Sequence, residues 1–133
     1  MKKTLITIFI IAIILSSCGK ATKKKRSLDD TLFKYAAVIR WSNYDAAVRF
    51  LYPNRTEIRP TEFELSHLKQ FKVSKYDALP ITPGNKSNII TQDVSIQIYN
   101  IHSNKTRTIQ DHQVWEYDND ANQWYLTSGL PKL

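Results

Sequence analysis

Hydrophobic residues recur at helical spacing in the first half of the chain and at a spacing of two in the second half. The residues Leu28, Leu32, Tyr35, Ala36 and Ile39 form one apolar stripe of a predicted helix. The run Ser27-Leu28-Asp29-Asp30 precedes that stripe and reads as a capping box. We therefore expect a first helix that begins near Ser27.

Two shorter helices are predicted next. Ser42-Asn43-Tyr44-Asp45 reads as a second capping box, so the chain should bend near Trp41 before the helix that follows. Tyr52-Pro53-Asn54 should end that helix, because the residue before proline avoids helical dihedral angles. The run from Thr61 to Gln70 predicts a third helix, with Leu65 and Leu68 facing inward.

The period of two begins at Phe71. Phe71 and Val73 alternate with polar residues, and Leu79 and Ile81 resume that parity after polar residues, as in a strand with an irregularity. Turns are predicted at Pro83-Gly84-Asn85, at 102–105 and at 118–122. The strands between the turns have inward positions that can be read from the alternation: Val94, Ile96, Ile98, Ile109, Gln113, Trp115, Tyr117, Trp124 and Leu126. Folding the last turn back should place Trp115 near Tyr125, with at least one tryptophan in the core.

Helices followed by strands predict an α+β domain in which N-terminal helices pack on a curved, four-stranded antiparallel sheet. The strand end Trp115-Glu116-Tyr117-Asp118, the return Gln123-Trp124-Tyr125-Leu126 and the following Ser128-Gly129-Leu130-Pro131 resemble the NTF2-like, or cystatin-like, α+β cones of bacterial exported proteins. This resemblance covers nearly all of residues 27–133. Because that superfamily contains both enzymes and non-catalytic domains, it leaves the function open.

The N-terminus has the features of an export signal. Met1-Lys2-Lys3 is positively charged, and the eleven residues from Leu5 to Leu15 are apolar except for Thr7. A membrane-spanning helix needs about 20 apolar residues, so this run is too short to be a permanent anchor. The following Leu15-Ser16-Ser17-Cys18 resembles the lipobox of bacterial lipoproteins.

That resemblance implies cleavage between Ser17 and Cys18 and lipidation of Cys18, with palmitate among the expected acyl groups. Cys18 is the only cysteine, and modification would protect a thiol that would otherwise be unpaired in an oxidising compartment. An ordinary signal peptide with a free cysteine nearby is the alternative. Gly19 stands where the family's inner-membrane retention signal carries aspartate, so in a Gram-negative source we expect the outer membrane, facing the periplasm.

The basic charge lies outside the predicted domain. The net charge of +7 comes from 19 basic and 12 acidic residues; Lys2, Lys3 and five residues of the 20–26 segment account for the excess, which leaves residues 27–133 neutral. We therefore predict a signal peptide at 1–17, a lipidated cysteine and basic tether at 18–26, and a domain at 27–133. The tether either lies against anionic head groups or is a flexible spacer. A neutral domain does not favour nucleic-acid binding.

Sites for chemistry are few in this sequence. No glycine-rich phosphate loop or nucleophile elbow is present, and the three histidines are scattered, so we expect no cofactor and no metal. Asp111 and His112 are neighbours on a predicted strand and should point to opposite faces. In a helix-and-sheet pocket of the kind some NTF2-like enzymes use, the candidates would be Tyr35, Asp93, Tyr99 and His112.

These patterns favour a lipid-anchored cell-envelope protein with a non-catalytic binding or assembly role. The alternatives are a pocket enzyme acting on a small apolar substrate, or an accessory component of an envelope secretion machine. A buried carboxylate facing a tyrosine would favour the enzyme. An unusually large exposed apolar patch would favour the machine component.

Overall fold

The computed structural model describes the backbone of residues 2–133 and the side chains of residues 19–133. The helices are α1 (Lys2–Arg40), α2 (Tyr44–Ala47) and α3 (Glu62–Leu68), with short 3-10 turns at Val48–Phe50 and Thr56–Ile58. The strands are β1 (Phe71–Ala78), β2 (Thr82–Pro83), β3 (Ile89–Asn100), β4 (Thr106–Asp118) and β5 (Gln123–Leu126). Within the described residues, no helix is both long enough and apolar enough to cross a membrane.

The strands form one antiparallel sheet in the order β1-β3-β4-β5, and the two-residue β2 pairs with β3 outside that path. The helices pack on one face of this curled sheet, which confirms the predicted α+β class and the helix-on-curved-sheet arrangement. The inner face of the sheet and the inward stripe of α1 make the core. Its fully buried members include Tyr35, Ile39, Leu51, Ile96, Ile98, Trp115 and Leu126.

The helix starts differ from two of the three predictions. Ser27 lies inside α1, where its carbonyl accepts a hydrogen bond from the Thr31 hydroxyl, so it caps no helix. Asn43 caps α2 by accepting from the Ala46 amide, whereas Ser42 has a left-handed backbone (φ 55°) at the predicted bend. The capping box of α3 forms as expected between Thr61 and Glu64.

The predicted irregularity in β1 is a bulge between Val73 and Lys75. The bulge shifts the inward-facing positions by one residue, so Tyr76, which follows the bulge along β1, is buried. Leu79 and Ile81, which we expected to resume the original parity, lie beyond the end of β1 and are exposed. That expectation was wrong because it continued the alternation unchanged through the bulge, where one additional residue reverses which positions face inward.

The turn between β4 and β5 sets the register of the two tryptophans. Asp118 pairs with Gln123, so Tyr117 lies opposite Trp124 and Trp115 lies opposite Leu126. The prediction that Trp115 would face Tyr125 was therefore wrong by one position. Both tryptophans are nonetheless buried on the inner face, as the core prediction required.

Candidate functional site

The predicted lipidation and cleavage residues, Ser17 and Cys18, fall outside the part of the chain whose side chains are described. Their backbone belongs to α1. Their chemistry therefore stays a prediction from the sequence.

Only two of the four residues proposed for an enzyme pocket come together, and they do so at the surface. Tyr35 projects from α1 into the core and is fully buried. Asp93 and His112 lie opposite each other on β3 and β4, where His112 Nδ1 and Asp93 Oδ1 form an exposed hydrogen bond. Tyr99 belongs to the same outward parity of β3, because the alternating residues Val94, Ile96 and Ile98 face the core. The candidates are thus divided between the two faces of the sheet.

A different polar cluster lies inside the core, on the inward parity of β4. Gln113 Nε2 donates to Asp111 Oδ2 at 2.9 Å and to the Tyr76 hydroxyl at 3.1 Å. Trp115 Nε1 donates in turn to Gln113 Oε1 at 3.2 Å. Tyr35 packs edge-on against Trp115 with 5.1 Å between ring centroids. Its buried hydroxyl has no hydrogen-bond partner among the described residues.

Burial controls the ionisation of this interior cluster. It raises the pKa of Asp111, an effect that the hydrogen bond from Gln113 and the nearby His112 oppose in part. It also raises the pKa of Tyr76 to about 12. Burial first, and then the charge of Asp111, raise the pKa of Tyr35 well above its ordinary value. Two neutral tyrosine hydroxyls therefore lie beside a carboxyl group that holds its proton more tightly than usual.

This interior cluster was missed at the level of sequence, although a signal was present. Asp111 and Gln113 occupy the same parity of β4 as Ile109, Trp115 and Tyr117. Polar residues at inward positions of a strand are uncommon and have to be satisfied by other buried groups. The partner on β1, Tyr76, could not be foreseen, because the bulge had to be located first.

A second feature is a surface groove of about 420 Å³ between α3 and the C-terminal segment. Phe63 on α3 lines it and is 82% exposed. The opposite wall is formed by the chain from Ser128 to Leu133. A single exposed apolar side chain is ordinary on a protein surface, so the concave shape of the groove is the feature that makes it a candidate binding surface.

Among the side chains that the structure describes, no three metal-binding residues are grouped so that they could hold a metal ion. The sequence matches no family model and no curated protein.

Solved structures with a similar fold include the following two. One is a SEC-C motif containing protein from Rhodopseudomonas palustris, with a TM-score of 0.54, 11% identity, and 73% of this chain and 72% of that chain covered. The other is a SEC-C motif containing protein from Psychrobacter arcticus, with a TM-score of 0.58, 9% identity, and 80% of this chain and 63% of that chain covered. At these identities the likeness establishes the fold alone, a helix-bearing curved antiparallel sheet.

Proposed function

We propose that this chain is a lipid-anchored cell-envelope protein whose domain has a non-catalytic binding or assembly role. The observation that carries the proposal is the order of a positive start, an eleven-residue apolar run and Leu15-Ser16-Ser17-Cys18. The presence of a single cysteine supports it, because an unmodified lone thiol is a liability in an oxidising compartment. With Gly19 after the cysteine, the proposed location in a Gram-negative source is the outer membrane.

The arrangement of the side chains supports a non-catalytic role. Asp93 and His112 form an exposed pair on the outer face of the sheet, whereas Tyr35 is buried on the inner side, so this acid, this base and Tyr35 cannot act on one substrate atom. In the interior cluster, the Gln113 amide is bonded to its neighbours on both its nitrogen and its oxygen. A buried amide that is bonded on both ends in this way typically helps to specify a core.

Metabolic labelling of the full chain with a fatty-acid analogue tests the anchor. The wild-type chain should be labelled and should migrate as a processed form, whereas Cys18→Ala should lose all label. Ser103→Ala, which changes a small side chain in a remote turn, is the matched control and should be labelled like wild type. Labelling that persists in Cys18→Ala would remove the basis of the proposal.

The alternative of a pocket enzyme is favoured by one observation, the half-buried Asp111 beside Tyr35 and Tyr76. If this cluster acts on a small apolar substrate, Asp111→Asn should abolish the activity while leaving the fold intact. If cells that carry Asp111→Asn behave like wild-type cells while cells that lack the protein do not, the enzyme alternative is contradicted.

The alternative of an accessory component of an envelope machine is favoured by the groove beside Phe63. A photo-crosslinking amino acid at position 63 should then yield a defined adduct in intact envelopes. The same probe at Phe33, an exposed phenylalanine on α1, is the matched control. An adduct that forms equally from both positions would argue against a docking function for the groove.

A further inference from the structure

The basic segment after Cys18 is helical and packs against the β4–β5 hairpin. The carbonyl oxygen of Lys24 accepts a hydrogen bond from Trp124 Nε1 at 3.2 Å. The Lys24 ammonium group lies 4.8 Å from the centroid of the Tyr117 ring and 5.4 Å from that of the Trp124 ring. It also donates to the Ser87 carbonyl at 3.5 Å. These contacts hold one turn of α1 in a fixed position over the hairpin.

A pocket of about 500 Å³ lies between this turn of the helix and the turn of the hairpin. Its described lining residues are Lys20, Ala21, Lys23, Lys24, Tyr117, Asn119 and Asn122. Three of them are lysines and none is acidic.

The nearby carboxylate of Asp118 is occupied elsewhere. Its Oδ1 accepts from the backbone amides of Asp120 and Ala121, and its Oδ2 accepts from the Tyr52 hydroxyl at 2.9 Å. These bonds hold the pKa of Asp118 below its ordinary value. Asp118 therefore stays ionised, but its oxygens accept from these donors and it is not among the residues that line the pocket.

The polar groups that line the pocket suit a phosphate group. Ammonium groups bind phosphate oxygens as compact positive charges with several donors each. The Tyr117 hydroxyl donates to Asn122 Oδ1 at 3.4 Å, which uses the oxygen of the carboxamide and leaves its NH₂ group to donate to a ligand. Asn119, on the same turn, adds a second carboxamide.

With the lipid anchor proposed at Cys18, the position of the pocket along α1 favours a membrane lipid as the source of the phosphate. Lys20 and Lys24 follow Cys18 by two and six residues. At about 1.5 Å per residue, these side chains begin within roughly 10 Å of the cysteine along the helix axis. The polar layer on each side of a bilayer is on the order of 5–8 Å thick. A lipid attached at Cys18 would therefore hold the pocket at the depth of the head groups.

We propose that this pocket, formed by Lys20, Lys23, Lys24, Asn119 and Asn122, binds the phosphate group of an anionic lipid head group. The proposal rests on the lipid anchor at Cys18 for its choice of a membrane lipid over a soluble anion. Binding would fix the orientation of the domain relative to the membrane surface, because helix and hairpin both contribute to the pocket.

The test uses the full chain purified in a nonionic detergent. It is titrated with dihexanoyl phosphatidylglycerol, with dihexanoyl phosphatidylcholine and with inorganic phosphate, and tryptophan fluorescence reports binding because Trp124 lies under Lys24. We expect saturable binding of phosphatidylglycerol that is tighter than the binding of the other two ligands.

The double variant Lys20→Gln/Lys23→Gln should weaken that binding roughly 30-fold, since each charge near an anionic head group is worth about 1 kcal/mol. The double variant Lys25→Gln/Arg26→Gln is the matched control, with the same change of net charge at residues that do not line the pocket. It should weaken binding by less than about threefold, because exposed charges away from the ligand are screened.

Three results would overturn the proposal: no saturable binding, equal weakening by the two double variants, or inorganic phosphate binding as tightly as the anionic lipid. The outcome is separable from that of the labelling experiment. Because the Cys18→Ala chain keeps the pocket, it should still bind phosphatidylglycerol in detergent. If the wild-type chain is not labelled by the fatty-acid analogue but still binds phosphatidylglycerol, the lipid anchor is contradicted and the binding pocket is still supported.

Discussion

Asp111 is the residue at which the core departs most from an apolar interior. It lies opposite Val94, a fully buried residue, so its side chain starts from an inward position of the sheet. One hydrogen bond, from Gln113, offsets part of the loss of hydration. Because burial raises the pKa of Asp111, the charged form is less stable in the folded protein than in the unfolded chain.

The pH dependence of stability follows from that direction. Below the ordinary carboxyl pKa of 3.8 both states are protonated, and the charge of Asp111 has no effect on stability. As the pH rises toward the higher pKa of the folded state, the unfolded chain releases the proton first, so the folded state loses stability. Asp111→Asn keeps an acceptor for Gln113 and has no charge to bury.

We therefore expect the melting temperature of Asp111→Asn to exceed that of wild type by a few degrees near neutral pH, with the difference shrinking toward about pH 4. A change of about 1 kcal/mol moves the melting temperature of a domain of this size by roughly 4–8 °C. Thermal unfolding followed by circular dichroism measures the difference. Asp120→Asn, at an exposed carboxylate, is the control; a wild-type chain that is the more stable at pH 7 would contradict the assignment.

The β4–β5 hairpin is the element that joins the sheet to the helices. Trp115 on β4 is 0% exposed and meets the rings of Tyr35 and Phe50 edge-on. Trp124 on β5 lies diagonally across the pair and bonds to α1 through the Lys24 carbonyl. The inward side chains of this hairpin thus contact α1 at Lys24 and Tyr35 and the 3-10 turn at Phe50.

Truncation of Trp115 should be severe. Replacing a buried tryptophan by alanine typically costs about 3–5 kcal/mol, a large share of the ~5–15 kcal/mol that stabilises a domain. We expect Trp115→Ala to lower the midpoint of urea unfolding markedly, whereas His112→Ala, on the exposed outer face, should leave it nearly unchanged. Equal midpoints for both variants would mean that the packing of Trp115 against Tyr35 and Phe50 does not stabilise the core.

Particular elements explain how far the sequence could predict this structure. The alternation of Val94, Ile96 and Ile98 is strict, so the inward face of β3 could be read directly. In β1 the bulge changed the parity, and no local signal places a bulge at one residue. The β4–β5 register was missed by one position because it depends on which residues close the turn. The interior cluster depended on the position of the bulge, because the bulge decides that Tyr76 of β1 points inward toward Gln113 of β4.

At the scale of the whole molecule, the basic segment has two possible roles that differ in their contacts. A flexible spacer would make none with the domain. The structure instead has Lys24 held by Trp124, Tyr117 and Ser87, and Trp124 is only 2% exposed. This burial depends on the turn of α1 that precedes Ser27. The sequence pattern gave no indication of these contacts, because the stripe of apolar residues begins only at Leu28.

A pair of fragments tests whether the basic segment belongs to the folded unit. Fragment 27–133 lacks Lys24, and fragment 19–133 keeps it. The shorter fragment loses the part-buried hydrogen bond from Trp124 to the Lys24 carbonyl, worth about 0.5–1.5 kcal/mol, and two cation–π contacts, each worth about 0.5–1 kcal/mol. We therefore expect fragment 27–133 to melt several degrees below fragment 19–133, and its tryptophan emission to shift to the red as Trp124 becomes hydrated.

Within the longer fragment, Lys24→Gln should lose part of this stability, whereas Lys25→Gln, its exposed neighbour, should lose none. Identical melting curves and emission for the two fragments would make residues 19–26 a passive tether, and the lipid pocket would then lack a fixed wall.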